Sequence, residues 1–209
     1  MIESMPEPTL EERLVASVFS RAMASAGRAL GEMTGQSVEI TTPLVRRFST
    51  DEVVELVGGP GTPVVAVYLG MVGGISGHCL VLLAPEGAHR LAQILLEGEV
   101  GDVPENVYEF DEMQTSALQE LGNVTIGAFM NEIGMHLHEA VHPTVPQAVV
   151  EMCGAVLDGL LMDLAVTGER ILAARTVFTE NGQSIHGTFL VLPRESSLHG
   201  LLESLGVAA

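Results

Sequence analysis

Lysine is missing from this chain; its nine basic residues are all arginines, set against 27 acidic ones for a net charge of −18. That balance argues against nucleic acid or an anionic membrane surface as partner, because phosphate-rich surfaces are held by lysine and arginine. Tryptophan is also absent and aromatics make up only 4%. The core must therefore come from Leu, Val, Ile, Ala and Met. The two cysteines, Cys79 and Cys153, are too few for a disulfide framework and read as small buried hydrophobes of a reducing compartment. No run of about 18 apolar residues occurs, so no membrane-spanning helix is expected. The opening stretch MIESMPEPTLEERL is acidic and lacks an apolar centre, which is unlike a signal peptide. Residues 1–8 read as a frayed leader. The expectation is a soluble, cytoplasmic protein.

What is present is periodicity. Thr9 suits an N-cap, and Leu14, Val15, Val18, Ala22, Ala26, Ala29, Leu30 and Met33 recur at helical spacing, predicting a helix over roughly 10–33 that ends near Gly35. A strand over 38–42, closed by Pro43, follows. Residues 50–57 read as a short capped helix, and 64–71 and 78–83 as strands joined by a glycine-rich hairpin. Residues 85–96 read as a helix with proline in its first turn. The polar stretch 97–106 is the best boundary between halves. A second long helix is expected from 111 to about 134, then a strand over 136–141. Residues 149–165 are ambiguous between strand and helix. Asn-Gly at 181–182 signals a hairpin between strands at 171–179 and 185–192, and 196–205 reads as a closing helix.

The halves repeat. A shift of 103 positions carries Pro43 onto Pro146, Leu30-Gly31 onto Ile133-Gly134, Val38 onto Val141, and Leu14, Val15 and Val18 onto Ala117, Leu118 and Leu121. No gap is needed across long helix, strand and proline. The expected architecture is one domain over 1–209 made of two repeats, about 9–98 and 107–207. Its fold class is α/β of the α+β type, with a pseudo-twofold duplication and a mainly antiparallel sheet under two long helices on one face.

The chemistry concentrates in the second long helix. Glu120 and Asn123 are three apart, and Ser116 lies four before Glu120, so all three share one helical face. Under the shift of 103, Ser116, Glu120 and Asn123 fall on Arg13, Ser17 and Ser20. The first helix keeps its apolar positions without the polar pair, so packing does not require the pair. Other groups read as scaffold. His136, His138 and His142 have a spacing reminiscent of metal ligands, but no cysteine or third well-placed acid joins them, so they read as a polar strand edge and no metal site is expected. GGPG at 58–61 is followed by no Lys or Ser/Thr in a phosphate-loop arrangement. Met130, Met135, Met152 and Met162 read as core filler.

The spacing Ser116-x3-Glu120-x2-Asn123-x22-Pro146 resembles the signature of the CheC-type phosphatases (CheC, CheX and FliY), in which Asp or Ser stands at the first position. The likeness extends over nearly the whole chain, through GGISGHCLVLLAPEGAHRLAQILL, MCGAVLDGLLMDLA and GTFLVLPRESSLHGLLESLG. CheC proteins often carry two signatures. Here Ser17 and Ser20 replace the acid and amide of the first, so the resemblance implies one working site and one degenerate one.

By that resemblance the protein removes the phosphoryl group from the phospho-aspartate of a CheY-like response regulator and ends a chemotaxis or related two-component signal. Asn123 would orient the attacking water, and Glu120 would pair with the regulator's active-site lysine. Ser116 and Pro146 would be accessory, the proline shaping a turn. No cofactor of its own is implied; Mg2+ would belong to the regulator. The alternative is a non-catalytic module that binds the deamidase CheD or associates with the flagellar switch. Nothing in the sequence resembles the appended segment of a switch component, which favours a free soluble form.

Overall fold

A computed structural model describes residues 8–96, 104–161, 171–180, 182–194 and Ser197. Helix α1 spans Leu10–Thr34 and strand β1 spans Val38–Phe48. Then come α2 (Thr50–Val57), β2 (Pro63–Gly73), β3 (Gly77–Leu83) and α3 (Pro85–Leu95). The second half runs α4 (Glu112–Leu137), β4 (Val141–Pro143), β5 (Gln147–Met152), α5 (Cys153–Leu161), β6 (Ile171–Glu180) and β7 (Gln183–Pro193). The expected leader and closing helix lie outside the described residues, apart from Pro8 and Ser197.

Local chemistry sets the helix ends. Thr9, Ser49 and Asp111 each accept a hydrogen bond from the third helical N–H, while Glu12, Glu52 and Gln114 reach back to the cap's own N–H. Each pair satisfies two N–H groups that an open helix end would leave without partners. At the other end, the long helices stop on left-handed residues, Gly35 (φ 69°) and His138 (φ 55°), which are 103 apart.

The sheet is antiparallel throughout, in the order β1-β6-β7-β3-β2-β4, with β5 also pairing with β2. Its pseudo-twofold axis passes between β7 and β3. The first strand of each half adds to the hairpin of the other: β1 pairs with β6, while β4 and β5 pair with β2. Side chains alternate across the sheet, as extended backbone requires. Val65, Val67, Leu69, Val81, Leu83, Phe189 and Val191 face a core closed by α1, α3 and α4. Val64, Ala66, Leu80, Leu82, Leu190 and Leu192 face a smaller core that also holds Val53 of α2 and Val156 and Leu157 of α5. The two long helices lie on one face, as the sequence predicts; α2 and α5 make a third layer on the other. Both cysteines are buried and free, and burial pushes both thiols above their usual pKa.

Two expectations are corrected. The strand expected over 38–42 continues through Pro43 to Phe48, with an irregularity in its pairing between Thr41 and Leu44. An edge strand tolerates a proline at such a point, because no ladder N–H is lost there. At the equivalent place in the second half the chain breaks between β4 and β5, just before Gln147. The strand expected over 136–141 is helix through Leu137, a left-handed cap at His138, and strand only from Val141. Gly134 does not stop the helix. Its missing side chain makes room for the Glu139 carbonyl, which would lie 2.8 Å from an added Cβ; Gly31 makes the same room for the Gln36 carbonyl, also at 2.8 Å. Residues 149–165 resolve into the end of β5 and α5, as far as they are described.

His89 ties the segment before α4 to the core. It is fully buried, its ring stacks on Phe110 at 4.0 Å, and its Nε2 lies 3.2 Å from the Val107 carbonyl. Its Nδ1 has no hydrogen-bond partner among the described residues. Burial pushes its pKa below the ordinary 6.5. The unfolded chain thus takes up the proton first as pH falls, so the stability held above 6.5 is lost on acidification below it. Thermal melts of His89→Leu and the wild type should differ in slope between pH 6.5 and 5, with the wild type losing more on acidification.

Candidate functional site

Helix α4 carries three of the four residues that the sequence picks out. Glu120 and Ser116 are exposed, and Asn123 is half-buried. Three residues along an α-helix is about 4.5 Å of rise and about 60° of rotation, so Glu120 and Asn123 stand side by side. Among the described residues neither side chain has a recorded hydrogen-bond or ion-pair partner. A carboxylate and a carboxamide are therefore presented outward, uncommitted, from one rigid element. The amide supplies a donor and an acceptor and does not titrate near neutrality.

The backbone beneath them is fixed by close approach. An added Cβ on Gly122 would lie 2.4 Å from Cγ1 of the buried Val67. The missing side chain lets α4 lie directly on β2. The Thr125 hydroxyl is occupied by the Leu121 carbonyl at 2.7 Å and stays buried. On the opposite side, Gly127 has nothing within 4 Å of an added Cβ among the described residues. Two glycines of one helix should thus respond with opposite sign. Gly127→Ala should stabilise by about 0.5–1 kcal/mol through helix propensity alone. Gly122→Ala has the same intrinsic gain but must displace a stiff valine, and should lose about 1–2 kcal/mol net. Urea denaturation of the two variants checks both signs.

The fourth residue, Pro146, sits off the helix, half-buried in the link between β4 and β5. That link is pinned to β2: Thr144 N–H donates to the Gly70 carbonyl, and the Thr144 hydroxyl accepts from Gly70 N–H. The Tyr68 hydroxyl bonds the Gln147 side chain on the same edge. The proline thus belongs to the local shape of the sheet edge beside α4.

In the first half, Ser17 and Ser20 occupy the outer face of α1, both exposed. Ser17 spends its hydroxyl on the Leu14 carbonyl at 2.7 Å, a local bond that takes no outside partner. The two helices are tied across their outer faces by Arg21, which pairs with Glu132 at 3.0 Å and also meets His136.

The histidines do not assemble. His136 is on α4 beside Arg21, His138 is the helix cap, and His142 is exposed on β4. No group of three or more potential metal ligands occurs among the described residues. Met130 is buried as expected, but Met135 and Met152 are 61% and 47% exposed; Met162 lies outside the described residues. Sequence reading also missed exposed apolar side chains at Met33, Leu96 and Met113, which gather beside Ser116 and Glu120. Met113 was detectable, three residues before Ser116 on the same helical face.

No family model matches the chain. Over 182 residues it is 28% identical to the CheY-P phosphatase CheC of Bacillus subtilis strain 168, covering 86% of each chain. The fold is shared with Thermotoga maritima FliY, at a TM-score of 0.77 and 17% identity over 97% of this chain and 98% of that one. A chain in the CheX–CheY–BeF3–Mg2+ complex from Borrelia burgdorferi matches at a TM-score of 0.51 and 19% identity, covering 86% of this chain and 97% of that one. No helix among the described residues is long and apolar enough to cross a membrane. In sequence over most of its length the chain is similar to a CheC protein, and in fold over nearly all of it to FliY.

Proposed function

We propose that the protein hydrolyses the phospho-aspartate of a CheY-like receiver domain. The observation that carries this reading is the Glu120/Asn123 pair, outward on α4 and without partners among the described residues, in a chain 28% identical to a CheY-P phosphatase. An acyl phosphate needs little covalent help; catalysis is positioning and charge stabilisation. The Asn123 amide holds a water in line with the phosphorus. A bond forms between the water oxygen and phosphorus, the bond to the aspartyl oxygen breaks, and the water's proton leaves with the phosphate product. Glu120 pairs with a receiver lysine and docks the helix over the phosphoryl group. The receiver supplies Mg2+, and the reaction belongs to the cytoplasm.

The test is direct. Adding the protein to a phosphorylated CheY-like receiver with Mg2+ should speed phosphate release over the receiver's own rate. An unchanged rate across candidate receivers overturns the reading.

A second reading is a non-catalytic docking module of the chemotaxis or flagellar apparatus, with CheD as one candidate partner. The degenerate α1 face, with Arg13, Ser17 and Ser20 exposed, is the surface such a role would use. Binding of CheD that survives loss of both Glu120 and Asn123 would separate this role from catalysis.

A further inference from the structure

Three large apolar side chains stay exposed beside Ser116 and Glu120, and each comes from a different part of the fold. Met33, in the last turn of α1, is 49% exposed; Leu96, just after α3, is 38% exposed; Met113, in the first turn of α4, is 66% exposed. Together with Glu112, Ser116 and Glu120 they line one open groove of about 440 Å³. Burying them would be favourable, and a contiguous exposed apolar patch with a polar rim marks an interaction surface.

The duplication serves as an internal comparison. Under the shift of 103, Met33, Leu96, Ser116 and Glu120 fall on His136, His199, Arg13 and Ser17, while Met113 falls on Leu10 and keeps its apolar character. The combination of apolar floor and acidic rim therefore belongs to the end of the molecule that carries the polar pair. Packing alone does not demand it, since the other half does without it.

The charge on the rim selects the occupant. Glu112 and Glu120 border the groove on a chain of net charge −18, so a second copy would bring like charge to it. The fitting partner presents apolar side chains next to a lysine or arginine. Glu120 stands both on the rim of the groove and on the helical face it shares with Asn123. Ten residues of helix separate Met113 from Asn123, about 15 Å, which is the span of a docking footprint on one side of a small domain.

We propose that Met33, Leu96 and Met113 form the affinity-determining half of the receiver-docking surface, packing against an apolar, basic-flanked patch beside the receiver's phosphorylation site. This inference rests on the phosphatase reading above and adds a division of labour to it. The groove sets how tightly the receiver is held, and Asn123 sets how fast the bound phosphoryl group is lost.

The experiment compares the wild type with Leu96→Asp/Met113→Asp and, separately, Met33→Ser. Two readouts are taken. One is binding of a receiver held in its active state by beryllofluoride and Mg2+, followed by fluorescence anisotropy. The other is phosphate release at varied receiver concentration. The double variant should raise both Kd and KM at least about tenfold while leaving kcat within about twofold, and Met33→Ser should raise both by a smaller factor. All three side chains are exposed, so melting temperatures should stay close to the wild type, confirming that folding is intact. Unchanged Kd in the double variant overturns the docking role of the groove and leaves the phosphatase reading standing. Groove-dependent binding by a wild type that does not speed phosphate release overturns the phosphatase reading and leaves the docking surface standing. A wild type that binds no active receiver overturns the proposal.

Discussion

Asn123→Ala should lower kcat for phosphate release from a phosphorylated receiver by about 100-fold or more, because the attacking water loses the group proposed to orient it. The mutation leaves the scaffold alone. Asn123 is half-buried with no recorded partner among the described residues, so the variant should melt within a few degrees of the wild type. Asn123→Asp is the sharper control. It keeps the shape but replaces the N–H2 donor with a second anionic oxygen facing the phosphoryl group, and it should be about as inactive as alanine. Glu120→Ala acts differently. It removes the proposed charge partner of a receiver lysine, so it should weaken binding as well as turnover, and more so at low salt, where exposed charge pairs count most. Initial rates over a range of receiver concentrations separate the two. An Asn123→Ala protein with undiminished kcat would remove the amide from the mechanism.

The largest effect on stability is expected at Phe129→Ala, with a loss of about 3–5 kcal/mol. Phe129 is fully buried and its ring lies 4.4 Å from that of Phe19 and 5.3 Å from that of Phe189. Phe19 in turn meets Phe189 edge-on at 5.3 Å. These three rings join α1, α4 and β7 at the middle of the larger core. In a chain with 4% aromatics few other side chains have the volume to fill the space. A loss of this size is a large part of the roughly 5–15 kcal/mol that holds a typical domain together. Chemical denaturation at fixed pH measures it. The double variant Phe19→Ala/Phe129→Ala should lose less than the sum of the single losses, because each single variant already forfeits the shared contact.

The duplication explains why this ring cluster could not be read from either half alone. A shift of 103 sets Phe129 on Ala26 and Phe19 on Gly122. Bulk in one helix stands where the other has a small residue. Of the four positions the helical spacing singled out only Ala26, and periodicity carries no information about which facing residue fills which gap. The same limit applied to Gly134, read as a helix end, when its role is to admit the Glu139 carbonyl. The repeat itself held the correction, since the left-handed cap at Gly35 maps onto His138. Residues 149–165 stayed ambiguous because β5 lies on an edge, with Val149, Val150 and Met152 exposed. An edge strand lacks the clean burial alternation that identifies inner strands.

The sequence by itself determined α1, α2, α3 and the start of α4, the antiparallel hairpins, the twofold plan and the neighbouring placement of Glu120 and Asn123. Each of these follows from spacings of a few residues, or from comparing the chain with itself, and such local regularities survive in a string of letters. Only the tertiary structure decided that the first strand of each half pairs with the hairpin of the other half, and that α4 lies on Val67 through Gly122. It alone brought Met33, Leu96 and Met113 together beside Glu120. Those facts depend on contacts between residues dozens of positions apart, whose geometry is set by how whole layers pack and not by any spacing along the chain.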